Sequence, residues 1–536
     1  LLKLTVSLMR RPGRCAISFL AAAVLSLGSP LGLAQVNLPA LGDSVSQDLD
    51  LGTERRIGEQ VMRQIRPDPD FLEDPLLLEY LQSIWAPLVG TAKQLGNIGD
   101  ETSERFAWEI FLVRDRSINA FALPGGYVGV HLGLIAMTGS ADELASVLAH
   151  ELSHVTQRHI ARRMAGDSRN SMLALAGLVA GLIVASRTHS TDVANAAIVG
   201  SQAAAAQASL SFSRDMEREA DRVGFTVMNQ AGFSPAGMYS MFDRMEQANH
   251  LMDNGSYPYL RSHPLTTERI GDARLRMGAI DYERPAGSAE HALMAARAKV
   301  LMDARAEAWG QLQNLDAGAR EQQAKGGAEN KGYEQLAARY TGALASIKMR
   351  DFARAENALR SAELTLKLMG PDPKAERLLR YLRAELNQAR GQAADGYAAL
   401  KPLAGEHSRP MLIQKAQLAR VDSNPATVRE AAEALQTYVS LNPMDPLAWA
   451  ELGQLWSKLD QPLRAVRAQG EERAAMGDLN GAIDRFRSGL RQSRGRDADQ
   501  VEAAVIDARL RSLLYERRQL LAEMYPRGVP PGAELP

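Results

Sequence analysis

The segment Leu144–Arg158, LASVLAHELSHVTQR, sets His150, Glu151 and His154 in the order His-Glu-x-x-His. Residues four apart on a helix share one face about a turn apart, so the two imidazoles can converge on a single ion. Glu151, next to the first imidazole, then faces the ion's open position. A carboxylate there can take a proton from an attacking water and pass it to a leaving amine. The chemistry indicated is metal-assisted hydrolysis of a peptide bond. Such a site needs a third protein ligand and one open position. The only cysteine, Cys15, lies at the start of the chain, so the third ligand must be His, Asp or Glu. The candidate is Glu217 in SRDMEREADRVGF, with Asp221 one turn later, spaced to accept a hydrogen bond from a ligand histidine and fix its tautomer. Glu219 competes for the ligand role, and spacing alone leaves both open.

These side chains need rigid carriers. Ser140 and Glu143 form a capping-box signature that starts a helix expected to run from Ala141 to about Met164, with Gly166 as its stop. Leu144, Val147, Leu148 and Val155 mark its buried face. Val223, Phe225 and Val227 imply a second, partly buried helix carrying Glu217. Upstream, residues 53–94 read as helix broken at Pro67–Pro69. Phe106–Val113 and Gly126–His131 read as strands about the turn at Pro124–Gly125, which predicts a small antiparallel sheet. His159 reads as an exposed helix residue, and His131, His189, His250, His291 and His407 carry no motif.

Residues 1–34 read as an export signal. Arg10, Arg11 and Arg14 precede the apolar run Ala16–Leu27, and Gly32 and Ala34 supply small residues before a cut at Gln35. Met9 is a candidate initiator. Residues 35–52 follow as an extended leader, 53–280 as the catalytic domain, and 281–331 as a helical connection and low-complexity linker. Residues 332–525 form a degenerate helical repeat, and 526–536 a disordered tail. Met349–Leu359, Ala389–Leu400 and Ala475–Phe486 share a turn followed by Ala at helical spacing. Trp449, Leu452, Gly453 and Ala465 match the tetratricopeptide pattern. The apolar stretch 171–186 reads as part of a buried hairpin, with peripheral membrane contact as its rival. A net charge of −1 gives no reason to expect nucleic-acid binding.

His-Glu-x-x-His followed by Ser-Arg and then Glu-x-x-x-Asp within EREAD resembles the HtpX and CAAX-prenyl-protease family of metallopeptidases. The resemblance extends to Asn119–Gly126, which leads into that family's active-site edge strand, and to His263-Pro264-Leu265-Thr266-Thr267-Glu268-Arg269. It implies Glu217 as the third ligand of one zinc ion, beside His150 and His154. It also implies a catalytic group of Glu151, Asp221, His263 and Arg269. His263 would contact substrate or oxyanion, or occupy the metal's fourth position and hold the enzyme idle.

The fold implied is mainly α: an α+β zincin-like protease domain with a small β-sheet, then an α-helical tetratricopeptide solenoid. With the export signal and the repeats, the resemblance implies a periplasmic endopeptidase associated with the outer membrane. Its substrates would be misassembled outer-membrane barrel proteins or lipopolysaccharide-transport components, and its partner, through the repeats, the outer-membrane assembly machinery. The rival reading is a repeat-based periplasmic chaperone or scaffold with a gated or vestigial protease site.

Overall fold

The computed structural model describes residues 49–164, 213–251, 258–277, 287–316, 331–493, 499–525 and 528–529. The expected export signal, nearly all of the expected leader, Gly166, the stretch 171–209 and most of 315–331 lie outside the described residues. Among the described residues no helix is long and apolar enough to cross a membrane.

Helix α1, Leu51–Ile65, starts where Asp50 accepts a hydrogen bond from the Thr53 amide. The turn at Pro67–Pro69 separates it from α2, Pro75–Gln94, capped by Asp74 and opened by Pro75, a residue suited to the first helical turn. Strands β1 (Phe71–Leu72), β2 (Glu109–Val113), β3 (Ala120–Leu123) and β4 (Tyr127–His131) form one sheet in the order β1-β2-β4-β3. The expected antiparallel pairing of the two longest runs is corrected here, because β2 and β4 run parallel, with Ile110 opposite Val128. The hairpin partner of β4 is instead β3, joined to it through Gly125 and Gly126 at φ 77° and 87°. That short hairpin occupies one side of β4 and leaves only the other for β2. Gly129 on β4 makes room for two rings, since a β-carbon there would lie 2.4 Å from Phe121 and 2.9 Å from Phe111.

Against this sheet lies α3, Ala141–Thr156, buried at every position from Glu143 to Val155. Its Ser140 cap accepts from the Glu143 amide, while the Glu143 carboxylate reaches back to the Gly139 amide at 2.6 Å. The helix does not continue to Met164 as expected. It stops at Thr156, Arg158 takes a left-handed φ of 52°, and α4 resumes at His159–Met164. Arg158 is held there by its side chain, which donates to Glu54 at 3.1 Å and to the Leu49 carbonyl. Downstream, α5 (Arg214–Gln230), the helix Ala236–Leu251, α6 (Pro258–Ser262), α7 (Thr267–Met277) and α8 (Ala289–Leu301) follow in the catalytic half.

From Lys331 onward the described residues form ten α-helices: α9 (Lys331–Lys348), α10 (Phe352–Met369), α11 (Pro373–Arg390), α12 (Ala393–Leu400), α13 (Arg409–Val421), α14 (Pro425–Leu441), α15 (Pro446–Lys458), α16 (Pro462–Ala475), α17 (Leu479–Gln492) and α18 (Gln500–Met524). Their starts repeat one device, an Asp or Asn cap followed by Pro, as at Asp372, Asn424 and Asp445. Successive helices pack on one another. Gly453 on α15 faces Ala465 and Ala468 of α16 at 3.6 and 3.5 Å from its would-be β-carbon, the close helix contact that small residues permit. The hydrophobic core does not break at the low-complexity segment. One continuous cluster runs from Leu49 through Leu418, and separate clusters serve the later helices.

Two histidines in the catalytic half, His291 buried and His131 largely so, make stability acid-sensitive. Burial pushes His131 down to about 4, against the opposing charge of Asp115. Burial also lowers His291, whose ring bridges the Tyr80 hydroxyl at 2.6 Å and the Thr138 carbonyl at 2.8 Å. An unfolded histidine protonates near pH 6.5, so between about pH 6.5 and 4 the unfolded chain binds a proton that the folded His131 refuses. Stability is therefore full above pH 6.5 and falls by up to about 3 kcal/mol toward pH 4 on account of His131. Urea midpoints at pH 7.5 and 5 should differ by less in His131→Gln than in the wild type. An equal difference in both would remove His131 from the account.

Candidate metal centre and active site

Three elements bring the predicted side chains together. Mid-helix on α3, His150 and His154 present Nε2 atoms 3.0 Å apart. Glu217, in the first turn of α5, sets its carboxylate 3.4 Å from His150 Nε2 and 3.5 Å from His154 Nε2. The approach of α5 depends on Gly224, where a β-carbon would lie 3.0 Å from the Ala149 carbonyl and 3.1 Å from the His150 nitrogen. His263, just beyond α6, puts Nδ1 2.9 Å from Glu217 and 3.3 Å from His150 Nε2. Its ring stacks on Tyr259 at 4.6 Å, and its amide donates to the Tyr259 carbonyl. All four donor atoms lie within 4.8 Å of one another, and all four side chains are buried.

Asp221 and Arg269 sit behind these donors. Asp221 Oδ1 is 2.9 Å from His150 Nδ1, and Arg269 donates to both Asp221 oxygens, at 2.6 and 2.8 Å. Arg269 also pairs with Glu217 at 2.9 Å and donates to the Pro264 carbonyl. Grouped with the catalytic residues on sequence grounds, both serve here to hold others in place. Asp221 orients an imidazole, and Arg269 fixes two carboxylates and the loop that carries His263.

Glu151 is fully buried, and its carboxylate makes no well-formed hydrogen bond among the described residues, with the Ala122 backbone amide as its nearest donor. His263 Nε2 stands 3.6 Å from it. Burial raises the Glu151 carboxyl, opposed by the charges of His263 and His150. Burial would lower His150 as well, but the carboxylates of Asp221 and Glu217 overcome it and hold the imidazole up to about 9. His154 goes the other way, pushed well below the usual range by burial and by the neighbouring His150 and His263. Burial would raise Glu217, yet His263 and His150 bring it far below the ordinary carboxylate value.

Three imidazole nitrogens and a carboxylate packed this closely match the nitrogen and oxygen donor set that zinc prefers. Tetrahedral bonds of about 2.0–2.1 Å would put donors roughly 3.3 Å apart. A buried carboxylate so weakly hydrogen-bonded beside that set is a costly arrangement unless a cation or a reacting water meets it. The residues present fit a metal ion.

His159 departs from the sequence expectation. It is fully buried rather than exposed, with Nδ1 2.8 Å from His154 Nδ1 and Nε2 3.1 Å from Glu219. Glu219 points to His159 and Arg162 rather than into the donor cluster. The break at Arg158 redirects His159, and no helical periodicity signals that break. Tyr259 was missed as well, and only its place four residues before His263 hints at the contact.

The profile of Peptidase family M48 matches residues 80–277, the span that contains every one of these donors. A relative named β-barrel assembly-enhancing protease, from Escherichia coli, is 30% identical over 479 residues, covering 89% of this chain and 91% of its own length. A protein of the same name from Yersinia pestis is 29% identical over 84% of this chain and 86% of its own. The yeast mitochondrial metalloendopeptidase OMA1 is 29% identical over 42% of this chain and 63% of its own. With a buried His-Glu-x-x-His constellation and similarity running nearly end to end, the chain is a metalloendopeptidase that belongs to peptidase family M48, among the β-barrel assembly-enhancing proteases.

Proposed function

We propose that this endopeptidase uses one zinc ion held by His150, His154 and Glu217, and that it acts in the periplasm on outer-membrane proteins that fail to assemble. The observation that carries the reading is the buried donor cluster with the buried, weakly hydrogen-bonded Glu151 carboxylate beside it. When bound, zinc supplies a Lewis acid that polarises the scissile carbonyl and makes the attacking water more acidic. Glu151 takes that water's proton on a carboxylate oxygen and returns it to the leaving amine. Asp221 and Arg269 keep His150 and Glu217 in register throughout. Strand β3 pairs only with β4 among the described residues, so its free edge can take an extended substrate segment beside α3.

The periplasmic assignment is supported by the basic, apolar and small-residue order of residues 1–34. The outer-membrane client is supported by the names of the relatives, and the domain limits stay as read from the sequence. Helices α9–α18 are proposed as tetratricopeptide-like pairs that dock the substrate or the assembly machinery. A groove of about 990 Å³ on α9 and α10 supports this, with Arg339, Arg360 and Lys367 around Leu364 and Leu368.

Residues 35–536 should carry about one zinc per chain and hydrolyse casein; a chelator should abolish the hydrolysis and added zinc restore it. Hydrolysis that survives complete metal removal would sink the reading. His263 supplies a fourth donor where hydrolysis needs an open position, which favours the gating role. His263→Ala is therefore expected to raise casein turnover severalfold at unchanged metal content. A fall would favour contact with the oxyanion, and no change would eliminate both roles.

A further inference from the structure

An imidazole that offers Nε2 to an ion must carry its proton on Nδ1, and that proton needs an acceptor. For His150 the acceptor is Asp221, locked by Arg269. For His154 the atom facing Nδ1 is His159 Nδ1, at 2.8 Å. The chain of contacts continues from His159 Nε2 to Glu219 Oε2 at 3.1 Å, and Arg162 donates to that same oxygen at 2.8 Å. Both ligand histidines thus lead to a carboxylate closed by an arginine, one directly and the other through an interposed ring.

The direction of the second relay follows from the inventory of donors. An ionised Glu219 only accepts, so His159 Nε2 carries a proton. In a neutral ring, His159 Nδ1 is then an acceptor, and the proton between the two rings sits on His154 Nδ1. His154 Nε2 is left with a bare lone pair facing the donor cluster. A carboxylate two rings away thereby sets the tautomer at the metal centre.

The backbone is shaped to make this contact. Five residues on along an unbroken helix, His159 would be rotated about 140° from His154 and out of reach. The left-handed turn at Arg158 folds it back, and for a residue other than glycine that conformation costs roughly 1–2 kcal/mol. The hydrogen bonds of Arg158 to Glu54 and Leu49 hold the turn in place.

We propose that His159 and Glu219 are positioning residues that hold His154 in the tautomer and orientation needed to bind the metal ion. The inference rests on the metallopeptidase reading above, and its test separates the two. Zinc dissociation constants of residues 35–536 are measured by competition with a chromophoric chelator, together with visible spectra of the cobalt-loaded protein. His159→Leu should weaken zinc binding about 10- to 100-fold and alter the cobalt bands. His159→Asn, whose Oδ1 can replace the Nδ1 acceptor, should recover affinity to within a few-fold of wild type. Glu219→Ala removes a side chain at the edge of the fold, 16% exposed, and so keeps the test available if His159→Leu does not fold. It should weaken zinc about tenfold. Constants within about twofold of wild type in every folded variant, with unchanged cobalt spectra, would overturn the proposal while leaving the enzyme assignment intact. A wild-type protein that binds no zinc would overturn both.

Discussion

Replacing Glu151 with Gln is expected to lower casein hydrolysis by about 10²- to 10⁴-fold while leaving about one metal ion per chain. The amide keeps the shape of the carboxylate but has no oxygen that can accept and carry a proton at neutral pH. No donor in the cluster is touched, because the ion would be held by His150, His154 and Glu217, whose own orientation depends on Asp221 and Arg269. Burial raises the Glu151 carboxyl, bringing it nearer the pH at which one group can both take and return a proton. The carboxylate makes no well-formed hydrogen bond among the described residues, and the amide oxygen can still accept from the Ala122 amide, so the neutral amide should leave stability unchanged or slightly increased. Metal content and turnover measured side by side decide the matter. Hydrolysis in the variant above a tenth of wild type would exclude Glu151 as the proton carrier, and loss of metal would mean that Glu151 helps hold the ion.

Arg297→Ala is expected to cost about 3–5 kcal/mol of stability, the usual effect of removing one partner from a buried ion pair. Arg297 lies on α8, buried, and donates to both oxygens of Asp74, at 2.8 and 2.7 Å. The same guanidinium pairs with Glu385 of α11 at 2.8 Å and reaches the Tyr340 hydroxyl of α9 at 3.2 Å. One side chain thus ties the cap of α2, in the catalytic half, to two helices of the C-terminal half. Alanine would leave two carboxylates and a hydroxyl without their cation in a site that water enters poorly. Arg409 makes a parallel tie from α13, pairing with Glu73 and with Asp445. Urea unfolding of the wild type and variant measures the loss. A decrease below 1 kcal/mol would show that the cluster is solvated or dispensable. A variant that unfolds in two separated steps would show that this contact is what makes the two halves one cooperative unit.

The sequence alone determined what local chemistry dictates. His150, Glu151 and His154 lie within one turn of a helix whose start Ser140 and Glu143 announce, so their convergence follows from the 3.6-residue period. The Asp-Pro and Asn-Pro starts of the later helices are local in the same way, as is the helical spacing of small residues such as Gly453 and Ala465. Glu217 and Asp221 were legible as a pair one turn apart, but Glu219 could not be set aside, since three acidic or polar positions on one helix differ only in which way the helix faces. That facing is tertiary. Gly224 lets α5 lie against Ala149 and His150, and the resulting rotation turns Glu217 inward and Glu219 toward Arg162.

The sheet shows the same limit: strand propensity identified two runs, while their parallel pairing depended on which segment claimed the other side of β4. His159 marks the limit most sharply. By periodicity it belongs on another face from His154, and it comes to the metal centre only because Arg158 is held in a left-handed turn by Glu54 and Leu49, 104 and 109 residues away. Contacts over such separations leave no periodic trace in the chain. The sequence therefore determined which groups could bind the ion and move the proton, and only the packed structure decided which side chains hold them in place.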